Sequence, residues 1–169
     1  MFSVVLAYLR RRWSRIRAEF KTRWKHYLYQ SFLASVVVFI VLLLLNMEHA
    51  VIIASIGASA FIVFTMPRNI TAGPRRVIGG HIVGLLSGSL CALLPHQSPI
   101  SSILVYSLAV GVSICLMVAM NLEHPPASGT ALGTAITGFS FEVVLAVLTS
   151  SIVLSLAHRF CKRFLRDLT

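Results

Sequence analysis

Asn46-Met47-Glu48-His49 returns as Asn121-Leu122-Glu123-His124, each copy at the polar end of a long apolar run and ahead of a stretch rich in Gly, Ser and Ala. The chain therefore reads as one membrane unit written twice. Proteins built this way place their substrate at the interface between the halves, where short or broken helices meet. The match is confined to the Asn-x-Glu-His core and the order of segments, and the connection over residues 67–76 has no counterpart of equal length in the second half.

Working outward, 57% of the residues are hydrophobic and only 12% are charged, with a mean hydropathy of +0.85. A soluble globule of this length needs more polar surface than that, so the solvent for most of the chain is lipid. Four apolar windows, residues 32–45, 77–94, 100–120 and 141–157, suit bilayer crossings. Two more, 50–66 and 125–140, are apolar but rich in small residues. They either span or re-enter.

Charge decides between those options. All 15 basic residues fall in three clusters: eight from Arg10 to Lys25, then Arg68, Arg75 and Arg76, then Arg159, Lys162, Arg163 and Arg166. Six crossings put every cluster on the cytoplasmic side, as the distribution of Lys and Arg requires; four crossings with two re-entrant windows do not. The expected fold is an all-α integral membrane protein of six short transmembrane helices. Three crossings per repeat invert the second copy, giving a 3+3 inverted repeat about an axis in the membrane plane. Repeat 1 covers about residues 29–95 and repeat 2 about 100–160, within one transmembrane domain over 29–160, followed by a short basic tail at 161–169. Glu48-His49 then faces outward and Glu123-His124 inward.

Residues 1–28 carry most of the net charge of +10. Leu9, Trp13, Ile16, Phe20 and Trp24 recur at helical spacing, so this segment is expected to be a basic amphipathic helix lying on an anionic cytoplasmic leaflet. It feeds directly into a span, which disfavours nucleic acid as a partner. No small-residue cleavage site follows the first apolar run, which disfavours a signal peptide. The bacterial inner membrane, with both termini cytoplasmic, is the default location; a basic, acid-poor start also fits an organelle transit sequence. Cys91, Cys115 and Cys161 lack metal-ligand spacing, and neither metal nor cofactor is expected.

Gly80, Gly84 and Gly88 recur every fourth residue in the third window, as do Gly129 and Gly133 in the fifth, and Ala54 with Ala58 and Ser55 with Ser59 in the second. Such ridges let helix backbones approach closely in lipid.

The segment Glu123-His124-Pro125-Pro126-Ala127-Ser128-Gly129-Thr130-Ala131, with Gly57-Ala58-Ser59-Ala60 and Pro74-Arg75-Arg76-Val77-Ile78-Gly79-Gly80-His81 upstream, resembles the HPP family of integral membrane proteins. His124-Pro125-Pro126 stands as its name-giving tripeptide, and the resemblance covers about residues 30–160. It implies a compact multi-span protein, and some plastid and cyanobacterial members are linked to nitrite transport. Members with an appended cytoplasmic regulatory domain differ from this chain, which ends soon after its last span, so regulation of that kind is not expected.

The chemistry of the tripeptide region fits an anion. Proline opens a helix without wasting a donor, leaving the N–H groups of Ser128, Gly129 and Thr130 aimed at the loop with the helix dipole behind them. Ser55, Gly57, Ala58 and Ser59 form the corresponding segment of the first repeat. The expected substrate-binding set is therefore His124, Pro125, Pro126, Ser128, Gly129, Thr130, Ser55, Gly57 and Ser59. Pro-Pro is equally ordinary punctuation at a helix start, and small polar residues commonly join membrane helices. Glu48, His49, Glu123, His124 and His81 are the proton-coupling or gating candidates, each Glu favouring the charged form of its neighbouring imidazole. For His81 the competing reading is a hydrogen bond to a Ser or Thr on another span. Arg68, Arg75 and Arg76 are candidates for an anion-attracting mouth, or serve only to set topology. Asn46 and Asn121 are expected to end their helices in the left-handed conformation. The outer face, with Glu48 and Glu142 and no Lys or Arg, is a poor entrance for an anion.

The expected function is passage of a small inorganic anion, nitrite first, and six short helices leave a small core that suits a homo-oligomer. Two other classes compete: a non-transporting membrane scaffold, and an intramembrane enzyme using Ser59 or Ser128 with a histidine. No nucleophile–base motif favours the enzyme.

Overall fold

A computed structural model describes residues 2–44 and 50–168, and every regular element among them is helical. The elements are α1 (Phe2–Leu44), α2 (Ala50–Thr65), α3 (Pro74–Ala92), α4 (Pro99–Ala119), α5 (Pro126–Thr137) and α6 (Phe141–Cys161), with 3-10 turns at Ile70–Ala72 and Lys162–Phe164. Asn46, Glu48 and His49 lie outside the described residues, so the first copy of the repeated tetrapeptide does too.

Helix starts follow local sequence. Pro74, Pro99 and Pro126 occupy the first turns of α3, α4 and α5, where no N–H is needed. Ser98 and Ser101 form a capping box on α4, and Ser140 caps α6 by accepting from the Val143 N–H. Asn121 takes φ 55 after α4, the left-handed conformation that asparagine tolerates.

The basic segment and the first span are continuous in backbone: α1 is one helix of 43 residues. No Gly or Pro occurs between Phe2 and Leu44, so nothing interrupts the hydrogen-bond ladder. Leu9, Trp13, Ile16, Phe20 and Trp24 all stand exposed along it.

Three helices, α1, α4 and α6, are long and apolar enough to cross a membrane. By contrast α2 has 16 residues and α5 has 12, about 24 and 18 Å of helix, against ~30 Å of hydrocarbon. The two windows that sequence left between spanning and re-entering are thus the two short helices. Pro126 at one end and Gly138 with φ 78 at the other limit α5.

Helix α5 packs against α2, α3 and α4, while α1 packs on α2 and α6. A methyl group at Gly80 would lie 2.7 Å from the His124 Cβ, and one at Gly84 or Gly88 would collide with the carbonyl oxygen of Ala127 or Ala131. The α3 glycine ridge therefore brings main chain against main chain along α5. On the other side of α5, a methyl at Gly129 would meet Ser55 Cβ at 3.3 Å and one at Gly133 would meet Ile52 Cγ1 at 2.8 Å. These approaches set α5 between α3 and α2, main chain on main chain toward α3 and against side chains of α2.

The main apolar core joins α1, α2, α3 and α6 through Val41, Ile56, Phe64, Val77, Val147 and Leu154. The outer surface is apolar as well: Ile100, Ile103, Leu104 and Leu108 on α4 and Phe141, Leu145, Ile152 and Leu156 on α6 are exposed. A body apolar inside and outside is an integral membrane protein.

One end of the bundle is clamped by polar groups. Gln30, fully buried on α1, donates through Nε2 to the Phe64 and Arg166 carbonyls, at 2.5 and 2.9 Å, and accepts from the Arg166 N–H. The Leu168 N–H donates to Thr65 O, the Arg68 N–H donates to Asp167 Oδ1, and the buried His158 Nε2 lies 2.8 Å from Pro67 O. The segment after α6 is thereby tied to α1 and to the end of α2.

Candidate functional site

Two residues one turn apart on α2, Ser55 and Ser59, face the bundle interior and are buried. His81, two turns into α3, and Thr130, in the second turn of α5, are buried beside them. His124 completes the group from the loop between α4 and α5, seated against Gly80, where a side chain would exclude it. The glycine ridge thus admits the second histidine.

The five side chains form one hydrogen-bonded chain. His124 Nδ1 lies 2.9 Å from the Thr71 carbonyl, and its Nε2 lies 2.9 Å from Ser59 Oγ. Ser59 Oγ is also 2.9 Å from His81 Nε2, and His81 Nδ1 is 2.8 Å from Thr130 Oγ1. Thr130 Oγ1 is 2.9 Å from Ser55 Oγ, which donates to the Pro126 carbonyl at 2.5 Å. The two imidazole centroids are 5.2 Å apart. Farther along, Ser87 on α3 and Thr134 on α5 have buried hydroxyls without a partner among the described residues, as does Ser155 on α6.

Of the residues that sequence nominated, Ser55, Ser59, His81, His124 and Thr130 meet in this chain, with Pro126 contributing its carbonyl. The others stand elsewhere. Gly57 is exposed on the far side of α2, in a groove shared with α1 residues Ala34 and Val38. Pro125 is exposed, and Gly129 packs on Ser55 without joining the chain. Ser128 bends its hydroxyl back to Pro125 O at 2.7 Å.

The expected anion cradle at the start of α5 is also differently built. The Ala127 N–H goes to His124 O and the Ser128 N–H to Pro125 O. Two prolines remove two donors and the local carbonyls take the next two, so the first turn closes on itself.

The charges resolve into pairs that sequence did not assign. Glu123 does not reach its neighbour His124; its carboxylate takes the Arg76 Nε–H at 3.1 Å. Arg76 also donates to the Asn121 side chain. The Glu123 carboxyl is held below the usual carboxylate range by its own backbone N–H and then by the Arg76 guanidinium. Arg76 is therefore an anchor for the loop that carries His124, and its charge is largely answered. Arg68 and Arg75 are exposed, as a mouth requires, with the Arg68 backbone tied to Asp167.

Sequence reasoning missed Gln30, His158 and the Thr71 carbonyl. The first two carried a readable signal: an amide and an imidazole at the ends of apolar windows, where polar side chains need partners. The carbonyl carried none. Among the described residues no cluster of His, Cys, Asp and Glu suits a metal.

Comparison with known proteins places this geometry in context. A family model described as HPP, transmembrane region, matches residues 20–167. A transmembrane protein of Dictyostelium discoideum is 30% identical over 128 residues, 72% of this chain and 45% of that protein. A second transmembrane protein of the same organism is 32% identical over 108 residues, 60% of this chain and 35% of its own length. The chain thus spans less than half the length of these relatives. No solved structure matches it.

Proposed function

The chain belongs to the HPP family of transmembrane proteins, and from that premise we propose that it carries a small inorganic anion across the membrane, nitrite being the first to test. The observation behind this reading is the buried chain from Thr71 to Pro126, set where α2, α3 and α5 meet. Polar side chains inside a bilayer cost free energy and mark pathways or proton relays. A scaffold requires only the glycine seam; it gains nothing from two imidazoles joined through one hydroxyl, or from the hydroxyls of Ser87 and Thr134, which have no partner among the described residues.

Packing supports a twofold repeat, and three crossings per half would invert it. Exchanging α1, α2 and α3 with α4, α5 and α6 maps the principal contacts onto one another: α1 with α2 onto α4 with α5, α3 with α4 onto α6 with α1, and α3 with α5 onto α6 with α2. Six crossings follow if α2 and α5 complete their passage through their connecting loops. All three basic clusters then face the cytoplasm, with anionic lipid as partner, and the bacterial inner membrane remains the proposed location. A cavity lined by Arg23, Arg68 and Arg166 brings residues of the first, second and third clusters to one end of the bundle. A homo-oligomer remains part of the proposal.

One observation favours a second reading. Ser59 Oγ within 2.9 Å of two imidazole nitrogens is the geometry of an activated nucleophile. Its complete burial, and the absence among the described residues of a carboxylate bonded to either imidazole, favour passage over acyl transfer. Labelling of Ser59 by an active-site phosphonate would reverse that judgement.

The deciding experiment is nitrite flux into proteoliposomes at two pH values, with formate and chloride as competitors and protein-free liposomes as control. Competable, protein-dependent flux that is lost in Ser59→Ala is expected. Flux no faster than the control would remove nitrite as substrate and return the scaffold to first place.

A further inference from the structure

We infer that the hydrogen-bond chain from Thr71 to Pro126 is a binding site for one excess proton, shared between His81 and His124 across Ser59. It supplies the proposed transporter with its proton, and to that extent it rests on the transport reading.

The inference comes from counting protons along the chain. Both ends are carbonyl oxygens, which only accept. At one end Ser55 gives its single hydroxyl proton to Pro126 O, so its oxygen must accept from Thr130. Thr130 has then used its own proton, so it must accept from His81 Nδ1–H. At the other end Thr71 O accepts from His124 Nδ1–H. If each imidazole holds one proton, both Nε2 atoms are bare, and both lie 2.9 Å from Ser59 Oγ. Ser59 has one proton and serves one of them. Its oxygen faces the other lone pair to lone pair.

Six links therefore share five protons when both histidines are neutral. Ser59 Oγ is also 3.0 Å from Ser55 O, a further acceptor that only raises the demand. One proton from solvent, bound at the bare Nε2, completes every link. No bond other than the new N–H forms or breaks, and the site gains one positive charge. When His124 passes its Nε2 proton to Ser59 Oγ as Ser59 passes its own to His81 Nε2, the charge moves from one imidazole to the other, so neither histidine owns it. Taking a charge out of water is costly, and the completed chain offsets part of that cost, since leaving a buried acceptor pair opposed also costs free energy.

No other titratable group joins the chain among the described residues. From α2 it is faced by Ser55 and Ser59, from the 3-10 turn by Thr71 and from α5 by Thr130. Glu123, next to His124 after α4, is engaged by Arg76 of α3. On α6, His158 bonds Pro67 O and Glu142 is exposed at the opposite end from it.

The same count names the variant that removes the site. Thr130→Val deletes two links and one proton. His81 is then free to place its proton on Nε2 and donate to Ser59, which donates to His124 Nε2, which donates to Thr71. That shorter chain closes with both imidazoles neutral. Ser55→Ala closes it likewise, and Thr130→Ser keeps the wild-type count.

The test is nitrogen NMR of histidine-labelled protein in lipid nanodiscs through a pH titration, with His81→Gln and His124→Gln to assign signals. Wild type and Thr130→Ser are expected to show one imidazolium shared by His81 and His124 at neutral pH, and Thr130→Val to lose it. Ser55→Ala gives the same readout should Thr130→Val not fold. Two neutral imidazoles in the wild type, or an unchanged imidazolium in the shortened chains, would overturn the inference. Flux is a separate result: an imidazolium without flux leaves the proton site and removes transport, while flux with neutral histidines does the reverse.

Discussion

Two buried polar clusters hold this protein together, and they are wired differently. At the clamped end, Gln30 and His158 meet main-chain carbonyls of Phe64, Arg166 and Pro67. A carbonyl only accepts, so each of those bonds has one possible direction. In the centre, Ser59, His81, Thr130 and Ser55 meet one another. Hydroxyls and neutral imidazoles both donate and accept, so the two bonds at Ser59 can reverse without any heavy atom moving. A cluster of fixed direction fastens segments together. One of reversible direction can pass a proton along or change its state when something binds.

The comparison is tested most severely at the seam that keeps the centre closed. Gly84→Leu drives a side chain into the Ala127 carbonyl, and a cost of about 3 kcal/mol or total failure to fold is expected, read as loss of a cooperative melt in detergent. A melt close to wild type would show that α3 and α5 do not approach as described. Next comes Ser59→Ala, which leaves two imidazole nitrogens facing a methyl group. About 1–3 kcal/mol of stability should go, and transport with it.

Gln30→Leu sharpens the contrast from the other side. Leaving the Phe64 and Arg166 carbonyls unmatched should cost about 1–2 kcal/mol and expose residues 162–168 to limited proteolysis, while flux per folded molecule stays within about twofold of wild type, a change worth less than 0.5 kcal/mol. If Gln30→Leu stops flux as Ser59→Ala does, the two clusters do not differ in kind. The smallest effect belongs to Glu123→Gln, outside both. Its pH dependence has a definite sign: the folded-state carboxyl is held low, so its tie to Arg76 is complete above the unfolded pKa and is lost as pH falls through the folded one. The variant should therefore flatten a weak acid-side loss of stability and change little at neutral pH. An acid-side melt identical to wild type would mean that Arg76 does not anchor the loop.

Much of the fold was legible because lipid imposes simple rules. The apolar windows became helices, and the small-residue spacing of Gly80, Gly84 and Gly88 marked the face that α5 meets. The continuity of α1 across its change from basic to apolar composition was legible too, in its lack of Gly and Pro. Five residues of the site were named because Ser, Thr and His are conspicuous in apolar surroundings. Their mutual arrangement was not readable: that His81 and His124 share one hydroxyl depends on the rotation and offset of three helices, which spacing along a single helix does not specify. Gly57 and Ser128 show the same limit, since each belongs to a suggestive motif and faces elsewhere. Arg76 was read as free charge because its partner lies 47 residues away.

The seam between α3 and α5 also limits how the molecule can move. Where carbonyl oxygens of one helix rest in the notches of another, sliding by a fraction of a turn brings each oxygen against the flank of its notch. Gly80, Gly84 and Gly88 repeat every fourth residue, so the next place where the two backbones fit is about 6 Å along the axis. Helix α5 is thus held in a detent: it stays, jumps a full notch, or lifts away.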